Sequence, residues 1–433
     1  MAPIPYAELS SDELKAIRKE LKKEYRAYQS QDLRLDMSRG KPSLDQLDLS
    51  MGLMQVLADG EDLTCEDGTD CRNYGVLDGI PEAKELLAEM GEVSPDEVII
   101  YGNSSLNVMY DTISRSYTHG VMGSTPWCKL PHVKWLCPVP GYDRHFAITE
   151  YFGIEMINIP MTPNGPDMDL VEKLCAEDDA IKGIWCVPKY SNPQGYTYSD
   201  ETVRRFARLK PAARDFRIYW DNAYNVHHLD FDHPDILLEI LDECRKAGHP
   251  DLVYKFMSTS KIGFPGSGIA CICTSPNNLV DIKRQLRVQT IGHDKVNQLR
   301  NVRYFKNIDG IMEHMKLHAQ CLRPRFEIIE KTLHEGLDGL DIGEWTEPKG
   351  GYFISFNSMN GCAKDIVSRM KKAGVVMTPA GATYPNGKDP HDSNIRIAPS
   401  FPPLDDLALA SKIFCCCVKL SASKKILMDR GDY

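Results

Sequence analysis

Apolar residues recur along this chain in two alternating patterns. Leu14, Ile17, Leu21, Tyr25 and Tyr28 fall at helical spacing behind Ser10-Ser11-Asp12-Glu13, a capping box, which predicts an amphipathic first helix. From about residue 75 to about residue 320, short apolar runs alternate with helical stretches. The runs lie at 98–101, 135–137, 154–159, 184–187, 217–220, 252–256 and 269–273. Strand-length runs separated by helices are the signature of an α/β fold with a doubly wound, mostly parallel sheet. A long helical stretch from about residue 310 leads to strand-like runs at 348–354 and 394–398, the marks of a smaller α/β domain. The expected division is a large domain at 59–324 and a small domain made of 1–58 with 325–433. Residues 35–42 read as a turn that ends any regular element, and residues 59–73 as an acidic, polar loop.

Composition removes several classes. No apolar run approaches the roughly 20 residues that span a bilayer. Met1-Ala2-Pro3-Ile4-Pro5 has neither the basic nor the apolar region of a signal peptide. A net charge of -10 argues against a dedicated nucleic-acid surface. The 14 cysteines are scattered and mostly sit in apolar runs, as Cys186, Cys271 and Cys273 do, which predicts buried, reduced thiols in a cytoplasmic protein. Cys65 with Cys71, and the triplet Cys415-Cys416-Cys417, lack the further ligands of a metal site.

The chemistry gathers where apolar runs end in polar residues, the edge at which open α/β sheets bind ligands. Asn192 follows the run at 184–187, Asp221 and Tyr224 follow 217–220, and Ser258-Thr259-Ser260-Lys261 follows 252–256. A lysine at the mouth of a buried strand, behind small hydroxyl residues, suits an amine held near a phosphate and made nucleophilic by its surroundings; a solvated loop is the plainer alternative. Gly102-Asn103-Ser104-Ser105 lies between a strand and a helix start, a geometry that offers free N–H groups and hydroxyls to a phosphate, though Ser104 could equally be a plain N-cap. Gly266-Ser267-Gly268 is too short for a dinucleotide fingerprint. Arg396 stands alone between Ile395 and Ile397, and a cation in so apolar a strand calls for a carboxylate, from substrate or from within the chain. His293, beside Gly292 in a polar loop, reads as structural.

The elements Asn192-Pro193-Gln194-Gly195, Asp221-Asn222-Ala223-Tyr224 and Ser258-Thr259-Ser260-Lys261, in that order, resemble the fold-type I pyridoxal-phosphate (PLP) enzymes, and among them the class I aminotransferases. The short Ser-Thr-Ser-Lys-Ile form with Ile291-Gly292-His293-Asp294-Lys295 downstream is similar to a divergent bacterial aspartate aminotransferase subgroup. The resemblance covers nearly the whole chain and implies a role for each residue. Lys261 would bind PLP as a Schiff base and shuttle the proton. Asp221 would hold a proton on the ring nitrogen, because a nearby opposite charge favours the charged form. Asn192 and Tyr224 would bond the ring's phenolic oxygen, and Tyr142 would stack on the ring unless it only packs on its loop. Ser104, Ser105, Ser258 and Ser260 would hold the phosphate, joined by Tyr74 from the other subunit of a homodimer. Arg396 would grip the substrate α-carboxylate, with Gly40 and Asn192 beside it; Arg39, Arg287 and Lys295 are the fallback anchors. The implied reaction passes an amino group from an acidic amino acid, aspartate first, to 2-oxoglutarate.

One departure stands out. Class I members usually carry a phosphate-anchoring arginine a few residues beyond the lysine, and here Pro265-Gly266-Ser267-Gly268-Ile269-Ala270 has none. The same scaffold also carries β-lyases and decarboxylases. It also serves as an effector-binding module in transcription regulators, but the expected basic winged-helix segment has no room here.

Overall fold

A computed structural model describes residues 3–58 and 62–433; Met1, Ala2 and the expected domain boundary at residue 59 lie outside the described residues. The capping box forms as the sequence requires. Ser10 N–H donates to Glu13 Oε2 at 2.8 Å and Glu13 N–H donates back to Ser10 Oγ, opening the helix Ser11–Gln29.

In chain order the first nine strands are β1 (Leu35–Asp36), β2 (Val98–Ile100), β3 (Lys134–Val139), β4 (Glu155–Thr162), β5 (Gly165–Pro166), β6 (Ile181–Cys186), β7 (Arg217–Asp221), β8 (Val253–Ser258) and β9 (Ala270–Cys273). The last four are β10 (Gly343–Trp345), β11 (Ile354–Ser358), β12 (Val375–Val376) and β13 (Asn394–Ile397). The large sheet runs β2-β9-β8-β7-β6-β3-β4-β5. Its centre, β4-β3-β6-β7-β8, is parallel, and β5 and β9 are antiparallel to their neighbours.

Unbroken apolar runs form these strands because both faces are covered. Trp135, Trp185, Tyr219 and Phe256 point to one face, with Val108, Ile113 and Leu286 from the helices Ser105–His119 and Pro276–Gln289. Leu136, Ile184, Trp220 and Met257 point to the other, with Leu87, Val171 and Phe206 from Pro81–Gly91, Met168–Glu177 and Asp200–Ala207. A second core joins Ser11–Gln29 and Leu404–Asp429 to the antiparallel sheet β10-β11-β13. The long helix Ile308–Leu337 runs unbroken between the two cores.

Two expectations change in detail. Within 35–42, Leu35 and Asp36 form β1 and pair in parallel with β12, because Leu35 N–H finds Gly374 O at 2.9 Å. The run at 348–354 becomes strand only from Ile354; Gly350 instead bridges to His228, at the edge of the large sheet's loops. The Cys415–Cys417 triplet is buried within Leu404–Asp429. Among the described residues no cluster could hold a metal, and no helix is long and apolar enough to cross a membrane.

Candidate active site

Parallel strands bring their carboxyl ends to one edge, so β6, β7 and β8 deliver Asn192, Asp221 and Lys261 to the same place. Asp221 ends β7 and is 2% exposed. Its Oδ2 accepts from His145 Nε2 at 3.0 Å, while Oδ1 is buried with no hydrogen-bond partner. His145 lies in the helix Asp143–Tyr151 and stacks on Trp185, ring centroids 4.6 Å apart. Tyr142, at the N-cap of that helix, meets His145 edge-on at 4.9 Å. Burial pushes the Tyr142 hydroxyl up to about 12, against the pull of Lys261.

Lys261 Nζ sits 4.0 Å from the centroid of the Tyr224 ring and has no hydrogen-bond or carboxylate partner among the described residues. Desolvation holds its amine below the ordinary lysine range, with Arg396 acting in the same direction and Tyr142 and Asp221 opposing. Its backbone is pinned from the far side: Lys261 O lies 3.3 Å from both Tyr352 Oη, which donates to it, and His227 Nε2. Burial also raises the Tyr224 hydroxyl above the ordinary tyrosine range.

Behind the lysine two turns are stitched together. Ser258 Oγ donates to Asn103 O at 2.8 Å and accepts from Ser260 N–H at 3.0 Å. Ser104 does not cap its helix with its side chain; its hydroxyl donates to Asn107 Oδ1 at 2.8 Å. The hydroxyls of Ser105 and Ser260 have no partner among the described residues, so this corner keeps donors in hand beside a helix N-terminus. The turn is tight at one glycine and open at another: nothing lies within 4 Å of where a Cβ on Gly266 would sit. A Cβ on Gly268 would lie 2.6 Å from Ser260 N and 2.9 Å from Asn103 O, so no side chain fits there. The turn borders a cavity of about 300 Å³ lined by Asn103, His293, Asn297 and Arg300.

Arg396 comes from β13, is 7% exposed, and reaches across to the large sheet's loops. Its Nη1 donates to Asp143 Oδ1 at 2.7 Å and to Asn192 Oδ1 at 3.3 Å, while Nε is buried without a partner. Of the two carboxylate sources left open by the sequence, the internal one is therefore present, as Asp143. The guanidinium lies over Phe353, 4.8 Å from its centroid. Phe353 also packs against Gly40 so closely that a Cβ there would collide with the ring.

The structure thus gathers Lys261, Asp221, Tyr224, Asn192, Tyr142, Arg396, Gly40 and the four serines. Tyr74 stands apart, 82% exposed on its own chain. Lys295 is not free to meet a substrate: it is buried, and its ammonium donates to Asn73 O at 2.5 Å and Gly75 O at 3.0 Å. Arg39 and Arg287 are exposed. His293 leaves Nε2 buried and unpartnered, 5.3 Å ring to ring from Tyr101. Sequence reasoning passed over Asp143, His145, His227 and Tyr352. The first two carried a signal: they open the helix after Tyr142, and His145, three residues on, shares its face.

Residues 9–430 match the family model described as aspartate amino-transferase. The chain belongs to the aspartate aminotransferase family. It is 40% identical over 425 residues to an aspartate aminotransferase of Corynebacterium glutamicum, covering 98% of each chain. A crystal structure of an aspartate transaminase from the same organism superposes with a TM-score of 0.95 at 40% identity, covering 98% of this chain and 100% of that one. The fold extends further. An α-aminoadipate aminotransferase of Thermus thermophilus, complexed with N-(5'-phosphopyridoxyl)-L-leucine, has a TM-score of 0.72 at 18% identity, covering 93% and 95%. This aminotransferase is therefore an enzyme acting on amino and 2-oxo acids, and fold-type I members of its family depend on PLP. Its residues fit that cofactor: Asp221 Oδ1 is an orphaned buried acceptor, Lys261 an unpaired amine, and the serine corner a set of donors.

Proposed function

We propose that this aminotransferase binds PLP through Lys261 and moves an amino group from an acidic amino acid, aspartate first, to 2-oxoglutarate. The observation that carries the cofactor part of the reading is the buried, unpartnered Asp221 Oδ1, on a carboxylate near enough to act on the charge of an unpaired, desolvated lysine. When bound, PLP supplies an electron sink for the pair released at the substrate Cα. Asp221 Oδ1 would keep a proton on the ring nitrogen, and His145 fixes the orientation of the carboxylate. Asn192 and Tyr224 would donate to the phenolic oxygen, and Tyr142 would cover the ring. Ser104, Ser105, Ser258, Ser260 and the free N–H groups of the helix Ser105–His119 would take the phosphate. Lys261 would hold the cofactor through its amine, and that amine, depressed by desolvation, would take the proton from the substrate Cα. Arg396 holds the substrate α-carboxylate, and Gly40 leaves the Phe353 ring free to support the guanidinium.

We also take residues 1–58 with 325–433 as a small domain beside a large domain at 59–324, and the working unit as a homodimer. The dimer is supported by Tyr74, exposed on a segment clasped by Lys295, next to exposed Ile291. A cytoplasmic setting is supported by fourteen free thiols, all but Cys128 and Cys321 buried.

A panel of amino donors and 2-oxo acids tests the reaction. Aspartate with 2-oxoglutarate should give the highest kcat/KM, with glutamate and oxaloacetate formed in equal amounts. Ammonia or carbon dioxide released in place of glutamate would mark a lyase or decarboxylase and defeat the proposal.

A further inference from the structure

Arg396 already holds a carboxylate of its own chain. Arg396 Nη1 donates to Asp143 Oδ1 at 2.7 Å and to Asn192 Oδ1 at 3.3 Å. Nε is buried with no partner among the described residues. A carboxylate binds arginine best through two parallel N–H bonds on one edge of the guanidinium. Asp143 already occupies Nη1, so any edge that an incoming carboxylate takes with Nη1 must be shared with it. Two carboxylates crowded on one N–H corner repel, and that repulsion is strong in a partly desolvated pocket.

Asp143 is also well placed to leave. Arg396 is locked in a strand, its side chain 8% exposed, whereas the Asp143 side chain is 33% exposed. Asp143 opens the helix Asp143–Tyr151, directly after Tyr142, the residue taken to cover the cofactor ring. A short, half-exposed carboxylate on the first turn of a helix can swing toward water and remain favoured there by the helix dipole.

We infer that Asp143 is a displaceable stand-in for the substrate's α-carboxylate, a residue that sets affinity by competing for Arg396. The inference rests on the reading that Arg396 grips that group. In the resting site Asp143 neutralises the guanidinium and keeps it aligned with Asn192. Substrate binding is then an exchange of one carboxylate for another, so part of its Coulombic gain is cancelled by the pair it breaks. This lowers affinity for every substrate alike and eases release of product, which carries the same group. Selection between substrates is left to contacts with the rest of the side chain.

The test uses the holoenzyme with Asp143→Asn and Asp143→Ala, and with Arg396→Lys as the reference. Asp143→Asn keeps the size and removes the charge; Asp143→Ala removes the contact as well. Both should lower KM for aspartate and for 2-oxoglutarate by a similar factor, roughly tenfold, the size of effect seen when one close charge partner is removed. The dissociation constant of maleate, a dicarboxylate with no amino group to react, should fall by the same factor. The turnover number should stay level or drop as release slows. A rise in KM and in the maleate constant for both variants would show that Asp143 aligns Arg396 for substrate rather than competing with it, and would overturn the inference. Arg396→Lys separates the two layers. If it leaves KM unchanged, the reading of Arg396 as the grip fails; if it raises KM while the Asp143 variants do not lower it, only the stand-in role fails.

Discussion

His145 Nε2 donates to one oxygen of Asp221 at 3.0 Å and leaves the other buried with no partner. A buried carboxylate oxygen without a donor is costly, so its persistence at the end of β7 marks a position completed by a ligand. Asp221→Ala should therefore cut kcat on the order of 10³-fold, as loss of a preorganised electrostatic partner does, with a much smaller loss of PLP affinity. His145→Ala should cost less, since it orients the carboxylate without meeting the ring. The neighbour Asn222 is the control. Steady-state kinetics and PLP titration of the three variants decide it, and damage from Asn222→Ala equal to that from Asp221→Ala would put the role on the wrong residue.

Lys261 should carry the cofactor. Borohydride reduction of the holoenzyme followed by peptide mapping should place the added mass on the peptide containing Ser258 to Lys261. A label on any other lysine refutes the assignment. Lys261→Ala should retain PLP non-covalently and lose transamination by several orders of magnitude.

The depressed Lys261 amine has a pH consequence in the cofactor-free protein. Its charged form is disfavoured in the folded state, so the unfolded chain binds more protons between the depressed folded value and about 10.4. Stability from this group therefore rises with pH across that window. Lys261→Met, uncharged at all pH values, should melt above the wild-type apoprotein near neutral pH, with the gap shrinking as pH rises toward about 10. Thermal melts across pH check the sign. A gap that widens with pH would mean the lysine is stabilised as a cation.

Arg396→Lys replaces a planar fork with a point charge. KM should rise sharply for every amino acid and every 2-oxo acid, a loss of about 2 kcal/mol or more in kcat/KM. Because Arg396 already pairs with Asp143 at 2.7 Å, the melting temperature should fall as well, but modestly, since lysine can keep that ion pair. A large drop in melting temperature with KM unchanged would make the residue structural.

Tyr74 should serve the neighbouring subunit. Chains carrying Tyr74→Ala and Lys261→Ala, unfolded together and refolded as hybrids, should regain one site with both native residues. Activity no higher than the mean of the two parents would place Tyr74 outside the site.

Fold class and most residues of the candidate site were legible along the chain, because both depend on local order. A strand buried on both faces has to be an unbroken apolar run, as at Ile184 or Trp220, and a parallel sheet puts the residues that follow such runs on one edge. That is enough to nominate Asn192, Asp221, Tyr224 and Lys261 together. The capping box of Ser10 and Glu13 is likewise complete within four residues. What the sequence left open depends on distances between segments far apart in the chain. Asp143 and Arg396 are separated by 253 positions, and nothing in either segment marks them as partners. The burial of Lys295 against Asn73 and Gly75, which removes it from the fallback anchors, spans 220 positions and more. The room denied at Gly268 by Ser260 and Asn103 is also a property of packing. Composition and period fix which residues are inside and which end at the sheet's edge; which charges meet there is settled only when the chain closes on itself.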